Sequence, residues 1–222
     1  MFSDAGFKKE ELDGYALRGA VYLRHTRPIY QENGQPTQEA TNCHILLAES
    51  RSIKTVCRST YAAELLSAAA ATDSSLPLTI TLQEVRTGPL GAEHLKIIKE
   101  QGWNQDIAIR ISIVLDAKSV YESLKATMFK APAENSLSGH VLWMREMHDK
   151  GLIHNVLWSD TRDMYADGLT KGSVPRDALV ELMTGNILLR HNIETFNRRF
   201  IRKSYLCELI TRTTGYLGFH SM

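Results

Sequence analysis

The sequence has few cysteines, no long apolar run and almost no excess of charge. Cys43, Cys57 and Cys207 form no Cys-x-x-Cys pair, which argues against a disulfide scaffold or structural zinc site and favours a reducing compartment. The longest nearly apolar run, residues 62–71, is interrupted by Glu64 and Ser67 and is too short to span a bilayer. A net charge of +1 predicts no strong non-specific attraction to nucleic acid, so phosphate contacts must come from local patches or bound metal ions.

The remaining composition is that of a globular protein. The chain has 222 residues, of which 43% are hydrophobic and 23% charged, which excludes wholesale disorder and suffices for one well-packed domain with a tail. No charged, apolar leader opens the sequence, so we expect an intracellular protein, cytoplasmic or nuclear, without a membrane partner.

Hydrophobic periodicity predicts strands alternating with helices. A helix capped by Ser59 or Thr60 is expected to reach Pro77, which either kinks it or starts a second helix running to about Arg86. A helix starting near Asp160–Thr161 is expected to be capped by Thr161. The other predicted strands and helices are, in chain order, the strands Tyr15–Arg24, His44–Ala48, Lys54–Arg58, Ile107–Asp116 and Val156–Ser159, and the helices Ala117–Lys125 and Ser138–Lys150.

This order of elements predicts an α/β architecture, with a mixed sheet covered by helices. The domain is expected to cover residues 1–192, because the periodicity weakens after about Ile193. Residues 193–222 carry five basic side chains against two acidic ones, and we interpret them as a basic, solvated C-terminal tail.

Four carboxylates are predicted to lie at or near the ends of strands and helices, where α/β sheets bind ligands. Asp4 is expected at the end of a short first strand, Glu64 in the first turns of a helix, Asp116 after a strand, and Asp167 within the helix that follows the last strand. Ligands of open α/β sheets bind at strand ends, and Mg²⁺ prefers carboxylate oxygens. Taken singly, each residue is more often a cap, a surface charge or a salt-bridge partner.

The residues that flank these carboxylates form sequence motifs, which are more specific than the carboxylates alone. The stretches concerned are Phe2-Ser3-Asp4-Ala5, Gly14-Tyr15, Arg58-Ser59-Thr60-Tyr61-Ala62-Ala63-Glu64-Leu65, Leu115-Asp116-Ala117-Lys118-Ser119, Arg145-Glu146 with Gly151 after four further residues, and Ala166-Asp167-Gly168-Leu169-Thr170-Lys171. In this order they resemble the F/Y-S/T-D-A, G-Y, R-S-S-T-E-A-E-Y, D-N-x-S, R-E-x4-G and A-D-x-L-T-K motifs of copia-type retrotransposon ribonuclease H domains. Those domains are part of a Pol polyprotein that also contains a reverse transcriptase. The resemblance covers about residues 2–182.

The resemblance implies a five-stranded mixed sheet flanked by helices and a metal-dependent endonuclease that hydrolyses the RNA strand of RNA–DNA hybrids. Asp4, Glu64, Asp116 and Asp167 become the catalytic residues and the ligands of two Mg²⁺ or Mn²⁺ ions about 4 Å apart. The Asp4 equivalent bridges both ions, the Asp167 equivalent joins it on the ion that activates water, and the equivalents of Glu64 and Asp116 hold the ion at the leaving 3′ oxygen. Selectivity for RNA would come from contacts to 2′-hydroxyls, and the remainder of the polyprotein is a further expected partner.

The sequence departs from the family pattern at three points. Ala117 replaces the asparagine of D-N-x-S, and Ser136 stands where a histidine is common, with His140 one turn later. The first strand is also expected to be shorter than in the family, which bears on activity. Two alternatives therefore stay open, namely a catalytically inactive ribonuclease H-like fragment that acts as a nucleic-acid or protein binding module, and a related nuclease or transposase-like enzyme acting on DNA.

Several other polar residues lie close to the four carboxylates in sequence. Asp163 shares a helix face with Asp167 if one helix contains both, so their roles could be exchanged; we interpret Asp160 and Asp163 as helix N-terminal charges instead. Lys118 and Lys171 could meet phosphates, although solvent is the usual surrounding of a lone lysine. His140, His148 and His154 lack zinc-ligand spacing with any cysteine.

Overall fold

The computed structural model describes residues 1–6, 15–31, 35–37, 39–101, 109–172 and 176–196. The strands in these ranges are β1 (Phe2–Gly6), β2 (Leu17–His25), β3 (Thr41–Ser52), β4 (Ile111–Leu115), β5 (Ile153–Ser159), β6 (Asn186–Ile187) and β7 (Ile193–Phe196). The helices are α1 (Thr60–Thr87), α2 (Ala92–Gln101), α3 (Lys118–Lys125), α4 (Ser138–Asp149), α5 (Asp167–Thr170) and α6 (Asp177–Met183). Among the helices of the described ranges, none combines the length and the apolar character that a membrane span requires.

The strands form one mixed sheet in the order β6-β3-β2-β1-β4-β5-β7. Strands β1, β2 and β3 are antiparallel neighbours, whereas β1, β4 and β5 run parallel. The predicted α/β class with a mixed sheet is confirmed, but the predicted number of five strands is wrong, since seven lie within the described residues. The two additional strands are the short edge strands β6 and β7, whose two and four residues are too few to show an alternating pattern.

Helices cover both faces of the sheet, and each face has its own hydrophobic core. On one face α1, α3 and α4 pack over a core that includes Leu65, Ile113 and Tyr121, all fully buried. On the other face α5 and α6 close a second core that contains Phe2 and Leu157. Strand β1 contributes to both cores, and all five of its residues are buried.

Helix α1 begins as predicted and continues further than predicted. Ser59 is its N-cap and accepts a hydrogen bond from the Ala62 amide at 3.1 Å. The helix passes through Pro77 and ends at Thr87, before Gly88 with a φ of +90°. The alternative of a second helix starting at Pro77 is therefore wrong, and helix α2 was not predicted.

Other predicted elements are confirmed in part. Tyr15–Arg24 and His44–Ala48 lie largely in β2 and β3, whereas Lys54–Arg58 contains no strand. The strand predicted over Ile107–Asp116 is observed as β4, while residues 107 and 108 are outside the described ranges. Strand β7 lies in the segment assigned to the tail and pairs with β5. The remaining tail, residues 197–222, is outside the described residues, as is Gly14 of the Gly14-Tyr15 motif. The division at residue 192 stays a prediction.

Candidate metal centre

Asp4 lies at the centre of the sheet and is fully buried. It is the third of the five residues of β1, not the strand's end as predicted, and it pairs with Gly19 of β2. Helix α5 packs closely beside it, because a Cβ at Gly19 would lie 2.7 Å from Thr170 Cγ2 and one at Gly6 would lie 2.5 Å from the Thr170 carbonyl oxygen. Two glycines thus allow α5 to approach Asp4.

Asp116 and Asp167 reach Asp4 from two other elements. Asp116 follows β4 directly, and β4 is the parallel neighbour of β1; Trp158 fixes its main chain by donating an indole hydrogen bond to the Asp116 carbonyl at 2.8 Å. Asp167 is the first residue of α5 and is buried. One carboxylate oxygen from each of Asp4, Asp116 and Asp167 lies within 4.8 Å of the other two.

Glu64 is close to this cluster, although it is not one of the three residues with mutually close oxygens. It lies in the second turn of α1 and accepts a hydrogen bond from the backbone amide of Ala5. Burial, together with the negative charges of Asp4 and Asp116, raises the pKa of Glu64 to about 9. The structure therefore brings three of the four predicted residues into mutual contact range and places the fourth within their electrostatic field.

Burial and mutual repulsion also raise the pKa values of the carboxyl groups of Asp116 and Asp167. Burial and the charge of Asp4 raise the pKa of Asp116, against the opposing effect of Lys171. Burial raises the pKa of Asp167 to about 6, although the hydrogen bond from Lys171 acts in the other direction. The site therefore disfavours negative charge in the absence of a further cation.

Lys171 supplies a cation to this site from within the chain. Its ammonium lies 2.8 Å from Asp167 Oδ1 and 3.2 Å from Asp4 Oδ1, and two-thirds of its side chain is buried. Burial by itself would lower the pKa of Lys171, but the hydrogen bond to Asp167 and the charges of Asp4 and Asp167 raise it overall. The Thr170 hydroxyl donates to the second oxygen of Asp4.

Lys171 does not have the solvent surrounding that is usual for a lone lysine, since it pairs with Asp4 and Asp167. The contacts of Thr170, Gly6 and Gly19 were not predicted. The Ala166–Lys171 motif contains both Thr170 and Lys171, so their place beside Asp167 was visible in the sequence, but their contact with Asp4 was not. Lys118 is half-exposed, forms an ion pair with Glu194 and lies 4.3 Å from the centroid of the Trp158 ring.

Asp163 does not exchange roles with Asp167. The two residues do not share a helix, because Asp163 ends a 3-10 turn (Thr161–Asp163) and α5 begins separately at Asp167. The buried Asp163 carboxylate accepts hydrogen bonds from the amides of Arg190 and His191. The 3-10 turn is capped by Asp160, so the prediction of Thr161 as the cap is wrong; Thr161 instead forms a side-chain hydrogen bond with Asp116.

The donor set fits a hard divalent cation. All donors are carboxylate oxygens, which Mg²⁺ and Mn²⁺ prefer over nitrogen or sulfur donors. The three closely spaced carboxylates are largely buried and carry more negative charge than the single ammonium of Lys171 can offset. A divalent ion would remove that imbalance.

No protein-family model and no curated protein matches the chain. Among solved structures it is similar to the N-terminal RNase H domain of rv2228c from Mycobacterium tuberculosis, determined as a fusion with maltose-binding protein. The match has 15% sequence identity, covers 82% of this chain and 95% of that chain, and has a TM-score of 0.44.

Proposed function

We propose that the chain is a metal-dependent endonuclease of the ribonuclease H type, which hydrolyses the RNA strand of RNA–DNA hybrids. The observation that supports this most is the convergence of Asp4, Asp116 and Asp167, from three separate elements, to within 4.8 Å. The order of the six family-like motifs supports the finer assignment to a copia-type retroelement polyprotein, whose remaining parts would be partners.

In this proposal Asp4, Glu64, Asp116 and Asp167 hold two Mg²⁺ or Mn²⁺ ions. When bound, the ions lower the pKa of water and neutralise charge on the scissile phosphate. The Thr170 hydroxyl orients Asp4 by donating to one of its oxygens. Glu64, whose pKa is about 9, would have to lose its proton to serve as a ligand, because a ligand carboxyl must be ionised.

The alternative of an inactive binding module has one observation in its favour. Lys171 and Thr170 already provide partners for Asp4 and Asp167, so the site is partly neutralised without a metal ion. A module that had lost its chemistry would retain such interactions.

Cleavage of a labelled hybrid separates the two functions. We expect purified protein to cut the RNA strand in Mn²⁺ or Mg²⁺ and to leave duplex DNA intact, because duplex DNA lacks 2′-hydroxyls. Asp4→Asn and Asp116→Asn should each lower the cleavage rate by at least about a hundredfold, since removal of one catalytic group commonly costs that much.

The matched control is Asp177→Asn, which makes the same change at an exposed position in the first turn of α6 and should leave the rate unchanged. If the parent protein binds the hybrid but does not cut it in either metal, the binding-module function is correct. Equal cleavage of duplex DNA would indicate a DNA nuclease.

A further inference from the structure

A second concave site lies on the α1 face of the sheet and shares no lining residue with the carboxylate cluster. It is a cavity of about 780 Å³ between the start of β2, the end of β3 and the helices α1 and α4, within the size range of ligand-binding sites. Its apolar wall includes Leu66 and Ala70 from α1 and Trp143 from α4. Trp143 is only partly buried against the core, so part of its ring faces the cavity.

The charges of this cavity are mainly positive. Arg18, Arg51 and Lys54 line it, and Asp73 is the one acidic residue among the described lining residues. Arg51 pairs with Glu49 at 3.2 Å but is two-thirds exposed, so part of its guanidinium remains accessible. Arg18 and Lys54 form no ion pair with any described residue. A net positive wall is a local exception in a chain whose total charge is +1.

The sheet register places these cations near the backbone of Asp4 but on the opposite face of the sheet from its carboxylate, which contacts Thr170 of α5. Arg18 pairs with Ala5, the residue that follows Asp4, and Arg51 pairs with Arg18 on the next strand. Adjacent strands are about 4.8 Å apart, so the Arg51 backbone is roughly 10 Å from that of Ala5. The cations and the Asp4 carboxylate thus lie near the same end of β1 and β2, on opposite faces of the sheet.

We infer that this cavity binds an unpaired segment of a nucleic-acid strand, independently of base sequence. A base would stack on Trp143, while the adjoining phosphates contact Arg18, Arg51 and Lys54. Proteins that bind single strands independently of sequence usually combine base stacking on an aromatic ring with cations that contact the phosphates. A base that is paired and stacked in a duplex would have no free face for Trp143. The inference rests on the proposed function for its choice of nucleic acid, but binding is measurable without cleavage.

The test measures binding of a fluorescently labelled oligothymidylate of ten nucleotides to the full chain. Fluorescence anisotropy is recorded in a chelator, so that no cleavage occurs. Trp143→Ala should weaken binding about tenfold or more, and Trp143→Phe should restore most of it, because both rings stack. Arg18→Glu and Lys54→Glu should weaken binding and reduce the slope of log K against log salt by about 0.7 for each phosphate that the variant no longer neutralises.

The matched control for charge reversal is Arg86→Glu. Arg86 is exposed near the other end of α1, twenty residues from Leu66 and therefore about 30 Å away along the helix; this variant should bind like the parent. Circular dichroism and thermal melting verify that each variant folds. If Trp143→Ala does not fold, the conclusion depends on Trp143→Phe and the two charge reversals.

Three results would overturn the inference. The first is unchanged binding by folded Trp143→Ala, or by both charge reversals if that variant does not fold. The second is an equal loss with Arg86→Glu, which would indicate diffuse attraction. The third is absence of oligonucleotide binding while a peptide of alternating Glu and Phe binds in a Trp143-dependent manner. A parent protein that binds the oligonucleotide but never cleaves the hybrid would disprove the proposed function and leave this inference intact.

Discussion

At the scale of single residues, Lys171 is the most informative side chain of the cluster. It provides one positive charge for three largely buried carboxylates, so it stabilises the metal-free site without neutralising it. A metal ion that binds the same oxygens must compete with its ammonium. Lys171 should therefore raise the stability of the metal-free protein and lower its apparent affinity for metal.

Lys171→Met tests both effects. Breaking a buried ion pair lowers the free energy of unfolding by about 3–5 kcal/mol. Because one-third of the Lys171 side chain is exposed, we expect a smaller loss of about 2 kcal/mol. In chelator this corresponds to a fall of roughly 4–8 °C in the melting temperature. Titration calorimetry should show tighter Mn²⁺ binding than in the parent. Lys150→Met is the control, because Lys150 is equally exposed at 34% but pairs with the exposed Glu146; it should change neither quantity. Weaker Mn²⁺ binding by Lys171→Met would contradict competition.

The raised pKa values of the carboxyls predict an unusual dependence of stability on pH. Folding raises the pKa of Glu64 from 4.5 to about 9, so the folded state binds the proton more tightly than the unfolded state. This contribution is fully present below about pH 4.5 and is lost as the pH rises through 9. The pKa values of Asp116 and Asp167 change in the same direction.

The metal-free protein should therefore lose stability between roughly pH 5 and pH 9, as measured by its melting temperature. Glu64→Gln should flatten this profile, because the amide does not titrate. Millimolar Mg²⁺ should raise the melting temperature most at the alkaline end, where the ligands are ionised. A melting temperature in chelator that rises with pH over this range would show that the carboxylates do not repel one another as the structure indicates.

At the scale of elements, the position of α5 decides whether the site exists. Only hydrogen atoms at Gly6 and Gly19 separate β1 and β2 from Thr170 and its neighbours. An added methyl group would push α5 away from the sheet and carry Asp167 and Lys171 with it. The two glycines thus act on the geometry of the cluster without contacting a ligand.

Gly6→Ala should lower both stability and cleavage. A Cβ at this position lies 2.5 Å from a backbone carbonyl, and overpacking of this kind costs typically about 1–3 kcal/mol. Cleavage should fall further than the loss of folded protein explains, because Asp167 is displaced. Gly139→Ala is the control: it lies in α4 with nothing within 4 Å, and helix propensity alone should stabilise it by up to about 1 kcal/mol. Full activity in a folded Gly6→Ala protein would contradict the proposed dependence of the site on α5.

Sequence periodicity predicted the elements whose signals are local. The cap at Ser59, the alternation that ends at Leu115 and the helix after Asp116 were visible because each depends on neighbouring residues. Strand β7 was not, since its four residues become a strand only by pairing with β5. The proximity of Asp4 and Asp167 was expected from their predicted places near the ends of elements and from the family-like motifs. Local periodicity did not predict it, because no local pattern encodes a contact across the fold.

At the scale of the whole molecule, the sheet extends into the segment predicted as a tail. Strand β7 covers the edge of β5, Ile193 is buried, and Phe196 stacks on His148 with ring centroids 5.4 Å apart. Glu194 pairs with Lys118 of α3. The last four described residues therefore belong to the packed structure.

Two truncations should behave differently. Removal of residues 197–222 retains every described interaction of β7, and we expect cooperative unfolding with little change in melting temperature. Removal of residues 193–222 exposes the edge of β5 and takes away the Phe196 ring that stacks on His148, so the melting temperature should fall by several degrees. Identical melting curves for the two truncated proteins would show that β7 contributes no stability.

The hydrogen bond from Lys171 to Asp4 joins residues 167 positions apart, and this separation has a consequence during synthesis. At about 5–20 residues per second, a ribosome needs on the order of 10–30 s after making Asp4 to reach Lys171. Throughout that time the nascent chain carries the central aspartate without Asp167, Thr170 or Lys171 beside it. The cluster of Asp4, Asp116 and Asp167 therefore cannot form until the segment from Asp167 to Lys171 has been made.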